Sequence, residues 1–239
     1  MSVNLKAARW VDGAVEALFP SYCLLCGARG QGALSLCAAC AAEMPRNTTC
    51  CARCGLPLDA PAPLCGRCIK REPLWDSAWV PFRYEWPLAQ LESRFKFGAD
   101  LAAGRTLSLL WTASQAPHDL PDAIVPVPLH RSRLRQRGYN QALELAKPLA
   151  KHFGASVVSD ALRRTRATLA QTELTAVQRR RNVRGAFVAN LDGKAPEHVV
   201  VLDDVFTTGA TLAECVRVLK HEGAHRVDVW ALARAPAPK

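Results

Sequence analysis

The sequence predicts an α/β protein: a parallel, Rossmann-like domain with a small cysteine-rich module ahead of it. Three observations carry this prediction. From residue 122 onward, short apolar runs alternate with amphipathic helical stretches. One run, Val199–Asp203, opens the segment VVVLDDVFTTGAT. Nine of the ten cysteines lie in the first 68 residues, in a spacing that occurs twice. With 239 residues and an apolar fraction of 49%, the chain can bury one sizeable core and carry a small appendage. The expected division is an N-terminal helix over 1–20, the cysteine module over 21–71 and the α/β domain over 72–239.

The first twenty residues resemble a short presequence, but Asp12 and Glu16 interrupt its apolar stretch and no clean cleavage site follows. Val11, Val15, Leu18 and Phe19 share one helical face. A cap packed on the domain is favoured over a helix lying on a membrane surface. No run approaches the ~18 apolar residues of a membrane span. The lack of an export signal points to the cytoplasm. The amphipathic start leaves a peripheral position at the inner face of the membrane open.

The cysteine module reads Cys23-x2-Cys26-x10-Cys37-x2-Cys40, then Cys51-x2-Cys54-x10-Cys65-x2-Cys68. Two residues between cysteines let a tight turn aim both sulfurs at one ion. Two such turns complete the closed S4 shell of structural zinc. Gly27 and Gly55 follow the second cysteine of each repeat, where the backbone must curl. A disulfide scaffold would need an oxidising compartment, and an iron–sulfur site is a further alternative. Pairing within each quartet is simplest. Cross-bracing and a substitution of Cys50 for Cys51 both stay open at this point. A segment of this size folds poorly on apolar burial alone, so two bound zinc ions would supply folding energy. With few aromatic residues to stack bases, the module suits docking or stability better than base reading. Cys215 falls on a predicted helix and reads as buried.

Within the second domain, Trp79–Tyr84 reads as a strand and Leu88–Phe97 as a helix. Gly98 and Gly104 punctuate a further helix through about Ser114. Ala123–Val127 is a short strand that leads into a polar, Arg-rich loop. A helix follows over about Asn140–Phe153, where Pro148 should bend it or shorten its regular part. Ser156–Ala161 and Val199–Asp203 are further strands. The latter is apolar enough to be buried on both faces. Leu212, Cys215, Val216 and Leu219 mark a helix that Gly223 stops, and Arg226–Ala233 is the last strand. Such alternation builds a parallel sheet with right-handed crossovers.

The net charge of +10 and pI of about 9.4 attract anions without choosing among them. Arginine dominates, at 131, 133, 135 and 137 and again at 163, 164, 166, 179, 180, 181 and 184. A guanidinium fork suits phosphate, although a solvated basic face is the plainer reading. The strongest local signal is the strand ending at Asp203-Asp204, followed by Thr207-Thr208-Gly209-Ala210-Thr211 and a helix. A turn at a strand's carboxyl end and a helix N-terminus offers backbone N–H groups to an anion. The two acids would repel a phosphate, so they suit vicinal sugar hydroxyls, with a shared divalent ion. Ordinary capping of a helix is the plainer alternative.

This segment is similar to the phosphoribosyl-pyrophosphate (PRPP) signature of type I phosphoribosyltransferases. VPVPLHRSRLRQRGYNQA at 125–142, RTRATLAQ at 164–171 and RRRNVRGAF at 179–187 resemble the ComF family of competence-associated proteins, GntX-like members included. The doubled cysteine module looks like the double zinc ribbon of many of them. The resemblance implies a type I phosphoribosyltransferase fold. It implies that Asp203 and Asp204 hold the ribose hydroxyls of PRPP and that Thr207, Thr208, Gly209, Ala210 and Thr211 wrap its 5′-phosphate. It also implies that His130 and Arg131 face the pyrophosphate, that segment 163–181 forms a flap, and that Mg2+ bridges pyrophosphate and ribose. Purine-salvage members of the fold class place an acid directly before the second Thr of the loop. Thr207 stands there in this chain, which speaks against purine salvage.

Two functions follow as expectations. One is a PRPP-binding protein, active as a glycosyl transferase if it turns over, that acts in DNA uptake with uptake-machinery partners. The other is a non-enzymatic docking or single-stranded nucleic-acid-binding module in which Arg179, Arg180 and Arg181 hold phosphates.

Overall fold

The computed structural model describes residues 20–167, 176–191 and 196–236; the side chains at 176, 177, 179 and 180 are left aside. The N-terminal helix expected over 1–20 lies, but for Pro20, outside the described residues. Among the described residues no helix is long and apolar enough to cross a membrane.

The cysteine module forms two knuckled units. Each begins with a tight turn closed by a glycine amide: Gly27 N–H donates to the Cys23 carbonyl at 2.9 Å and Gly55 N–H to that of Cys51 at 2.8 Å. Both glycines have positive φ, 75° and 62°, which a side chain would strain. Each unit ends in a short helix, α1 (Ala38–Ala42) and α2 (Gly66–Lys70), with Cys37 and Cys65 as N-caps. One turn later Cys40 and Cys68 return to the same side.

The second domain contains β1 (Ala78–Trp79), β2 (Phe82–Arg83), α3 (Leu88–Phe97), α4 (Leu101–Thr112), β3 (Ala123–Pro126), α5 (Arg131–Arg137), α6 (Gln141–Phe153), β4 (Ser156–Val157), β5 (Leu162–Arg164), α7 (Ala176–Val183), β6 (Phe187–Ala189), β7 (His198–Phe206), α8 (Ala210–His221) and β8 (Arg226–Arg234). The main sheet is wholly parallel, in the order β1-β8-β7-β3-β4, and β2 also pairs with β8. β5 and β6 form a separate antiparallel pair.

Side chains of β7 alternate between two cores, as strand geometry requires. Val199 and Val201 pack with α8, the β5–β6 pair and the second cysteine unit. Val200 and Leu202 pack with α3, α4, α6 and the first unit. The two cysteine units therefore cover opposite faces of one sheet.

Several expectations change. The single strand Trp79–Tyr84 is two short strands, because Pro81 lacks the N–H a continuous ladder needs. Gly104 does not break its helix but sits buried inside α4 against the Phe95 ring. The Arg-rich stretch after β3 is helix α5, not a loop: His130 caps its start and Gly138, at φ 84°, ends it. Pro148 lies inside α6, which still spans Gln141–Phe153. The strand expected over Ser156–Ala161 shrinks to Ser156–Val157, which pair with Ala123 and Ile124 of β3. The strand expected to stop at Asp203 continues to Phe206, because β8 offers ladder partners as far as Arg234. β5 and β6 are additions to the sequence reading.

Candidate functional site

In each cysteine quartet the sulfurs lie within 4.8 Å of one another. Cys26 and Cys37 Sγ are 3.7 Å apart, as are those of Cys54 and Cys65. A tetrahedral shell with Zn–S bonds of about 2.3 Å has edges of about 3.8 Å, whereas a disulfide closes to about 2.0 Å. The residues therefore fit structural zinc. The grouping is Cys23, Cys26, Cys37 and Cys40 in one site and Cys51, Cys54, Cys65 and Cys68 in the other, without cross-bracing. Cys50 stands outside both, half-buried. Cys215 is fully buried in α8, as expected.

The second site sits at the carboxyl end of the sheet, where open α/β folds bind ligands. β3 ends at Pro126 opposite Leu202, and Val127 N–H gives a bond to the Leu202 carbonyl at 2.8 Å. Beyond that point β7 pairs with β8 but not with β3, and Asp203 and Asp204 lie on this overhang. The chain leaving β3 runs past it through His130 into α5, and Asn140 pins that connection by donating to the Val127 carbonyl at 3.0 Å.

The two acids differ in surroundings. Asp204 is buried and faces α3, where Lys96 Nζ lies 3.1 Å from its carboxylate. Lys96 also pairs with Glu92 at 3.2 Å, and Tyr84 OH donates to Glu92 at 3.1 Å. Burial favours a neutral Asp204, but Lys96 overrides it and holds the carboxyl below its ordinary value. Burial, and then the charge of Asp204, push Asp203 well above its ordinary value. The same two causes raise Glu92. One lysine thus faces three carboxyls.

The turn itself is short. Thr207, Thr208 and Gly209 join β7 to α8, with Gly209 at φ 77° as N-cap. A side chain at Gly209 would place Cβ 2.7 Å from the Phe206 ring, so glycine is required on two counts. Thr208 Oγ1 accepts from Ala210 N–H at 3.3 Å. Thr207, Thr208, Gly209, Ala210 and Thr211 therefore stand together at a strand end and a helix start, as expected. His130 caps α5 through one ring nitrogen: its Nδ1 lies 2.8 Å from Ser132 Oγ. Arg131 is exposed at the first position of that helix. Arg133, two residues on, is electrostatically coupled to buried Arg164, which in turn feels Asp203. Of the expected flap, 168–175 lies outside the described residues. Arg163 and Arg164 belong to β5, and Arg179, Arg180 and Arg181 to helix α7, where Arg181 is exposed.

A cleft of about 770 Å³ lies on the other side of the turn, between the second cysteine unit, α7 and α8. Thr208 and Gly209 form part of its wall, Leu74 and Trp75 its apolar side, and Arg67 and Arg184 add charge. Sequence reading missed this cleft and the Lys96–Glu92 support. The i, i+4 spacing of Glu92 and Lys96 was a readable signal of a pair; that it serves Asp204 was not.

A double zinc ribbon domain model matches residues 14–69, and a phosphoribosyl transferase domain model matches 140–239. The chain is 38% identical over 175 residues to Competence protein F of Haemophilus influenzae, covering 70% of this chain and 76% of that protein. It is 37% identical over 172 residues to DNA utilization protein YhgH of Escherichia coli (strain K12), covering 70% and 75%. Among solved structures, a glutamine PRPP amidotransferase from B. subtilis complexed with ADP and GMP is similar at 21% identity and a TM-score of 0.35. The match covers 54% of this chain and 24% of that one.

Proposed function

The chain belongs to the Competence protein F family, and on that premise we propose that it binds PRPP with Mg2+ and acts in the uptake or use of DNA. The observation that carries the binding reading is the acid pair at the overhanging end of β7, followed directly by the Thr207–Gly209 turn and the start of α8. Asp203 and Asp204 would accept from the ribose hydroxyls. Backbone N–H groups of the turn, with the Thr207, Thr208 and Thr211 hydroxyls, would hold the 5′-phosphate. The connection after β3, with His130, Arg131 and Arg133, would face the pyrophosphate.

Mg2+ would neutralise the leaving pyrophosphate and part of the carboxylate charge that Lys96 leaves unbalanced. The chain's own share is positioning and charge neutralisation. Each cysteine quartet would hold one structural zinc. We place the domain boundary at 71/72, between the ribbons and the phosphoribosyltransferase-like domain.

The reading is tested by thermal unfolding with and without ligand. A ligand that binds only the folded state raises its stability by about 2.7 kcal/mol at a hundredfold excess over Kd. PRPP with Mg2+ should raise Tm, and Asp203→Asn with Asp204→Asn should abolish the rise. No rise for the natural sequence would reject the reading.

A second reading, single-stranded nucleic-acid binding, is favoured by the cleft beside the turn. Arg67 and Arg184 line it and have no ion pair among the described residues. Replacing both with Gln should lower the slope of log affinity against log salt by about 0.7 per lost phosphate contact on a single strand. An unchanged slope removes the cleft from the contact and returns attention to Arg179, Arg180 and Arg181.

A further inference from the structure

One buried cation joins the second ribbon to the phosphate turn. Arg234, the last residue of β8, is 2% exposed. Its Nε donates to the Cys54 carbonyl at 3.0 Å. Its Nη1 donates to the carbonyls of Phe206 at 2.7 Å, Thr207 at 2.5 Å and Ala235 at 2.7 Å. The guanidinium carbon lies 4.3 Å from the centroid of the Phe206 ring. Cys54 is a ligand position of the second quartet, while Phe206 and Thr207 are where strand becomes turn.

Among the described residues no carboxylate pairs with Arg234. A buried cation held by carbonyl dipoles alone is costly unless opposite charge lies near. A zinc ion in a shell of four thiolates is anionic overall, so a loaded ribbon supplies that charge beside Cys54.

We propose that Arg234 is a positioning residue that clamps the phosphate turn to the second ribbon, so that the turn keeps its binding shape only while that ribbon is folded on its metal. The ligand half of this rests on the PRPP reading; the clamp does not. A planar fork can reach Cys54 on one side and Phe206 and Thr207 on the other, which the single ammonium of lysine cannot do.

The test uses the full zinc-loaded chain and measures hydrogen exchange, zinc content and calorimetric affinity for PRPP with Mg2+. Arg234→Lys should keep two zinc ions and leave exchange in α3 and α6 as in the natural sequence. Amides from Phe206 to Ala210 should exchange about tenfold faster or more, and PRPP affinity should fall by a similar factor. Phe206→Leu, which removes the ring under the guanidinium and leaves every carbonyl, should show a smaller acceleration at the same amides. It decides the matter if Arg234→Lys loses protection in α3 and α6 as well. Cys65→Ser, which breaks the second quartet, should speed the same turn amides. Turn amides as protected as in the natural sequence, with zinc lost from the second quartet, would overturn the clamp. If the natural sequence binds no PRPP but the turn amides still accelerate, the clamp stands and the PRPP reading falls.

Discussion

Asp203 and Asp204 are adjacent in sequence and opposite in environment. Lys96 keeps Asp204 charged, while burial and the charge of its neighbour push the Asp203 carboxyl up. A carboxyl whose value is raised by folding costs stability wherever the unfolded chain would already have ionised it. That cost is absent below the ordinary value of 3.8, grows as pH rises from there to the folded value, and is constant above it. Asp203→Asn should therefore raise the Tm of the ligand-free protein at neutral pH, the gain should vanish below about pH 4, and PRPP should no longer add to it. An unchanged or lower Tm at neutral pH would show that Asp203 is not under this strain. Asp204→Asn should do the reverse, since it takes from the partly buried Lys96 the carboxylate 3.1 Å away; a loss of about 2 kcal/mol is expected in chemical denaturation. The acid pair itself was legible in the sequence. Lys96 was not, because its partner Asp204 lies more than a hundred residues away and meets it only through the fold.

At the scale of elements, the sequence revealed those whose apolar pattern is long. α3, α6 and β8 fall within a residue or so of the expected bounds, and α8 starts two residues early, at Ala210. Elements defined by pairing rather than pattern were not visible. β5 and β6 have three residues each and exist because they meet. The last residues of β7 are strand because β8 runs beside them, and α5 buries no side chain, so it left no apolar stripe to read. Gly104 teaches the same lesson with opposite sign. Helix propensity alone says Gly104→Ala should gain about 1 kcal/mol. A Cβ there would collide with the buried Phe95 ring where α3 and α4 pack, and overpacking costs about 1–3 kcal/mol. Urea denaturation should show a net loss; a gain would mean that the two helices separate freely.

At the scale of the molecule, the ribbons are part of the architecture of the sheet rather than an appendage before it. One quartet packs into each of the two cores. The first unit also grips α3, which supports Asp204, through Arg94 bonded to the Leu24 carbonyl, and the neighbouring α4 through Thr106 donating to the Leu34 carbonyl at 2.8 Å. The second unit reaches the phosphate turn through Arg234. The doubled spacing predicted two closed metal shells; it could not tell that they lie on opposite faces, since that follows from the path of the chain between them.

The acid pair and the turn together form the proposed PRPP site. Isothermal titration calorimetry of the zinc-loaded chain with PRPP and Mg2+ tests it most directly, set beside the Asp203→Asn/Asp204→Asn double variant. Saturable binding to one site per chain, lost in the double variant while its zinc content is kept, is the predicted result. No heat of binding in the natural sequence, or equal binding in the double variant, would contradict it.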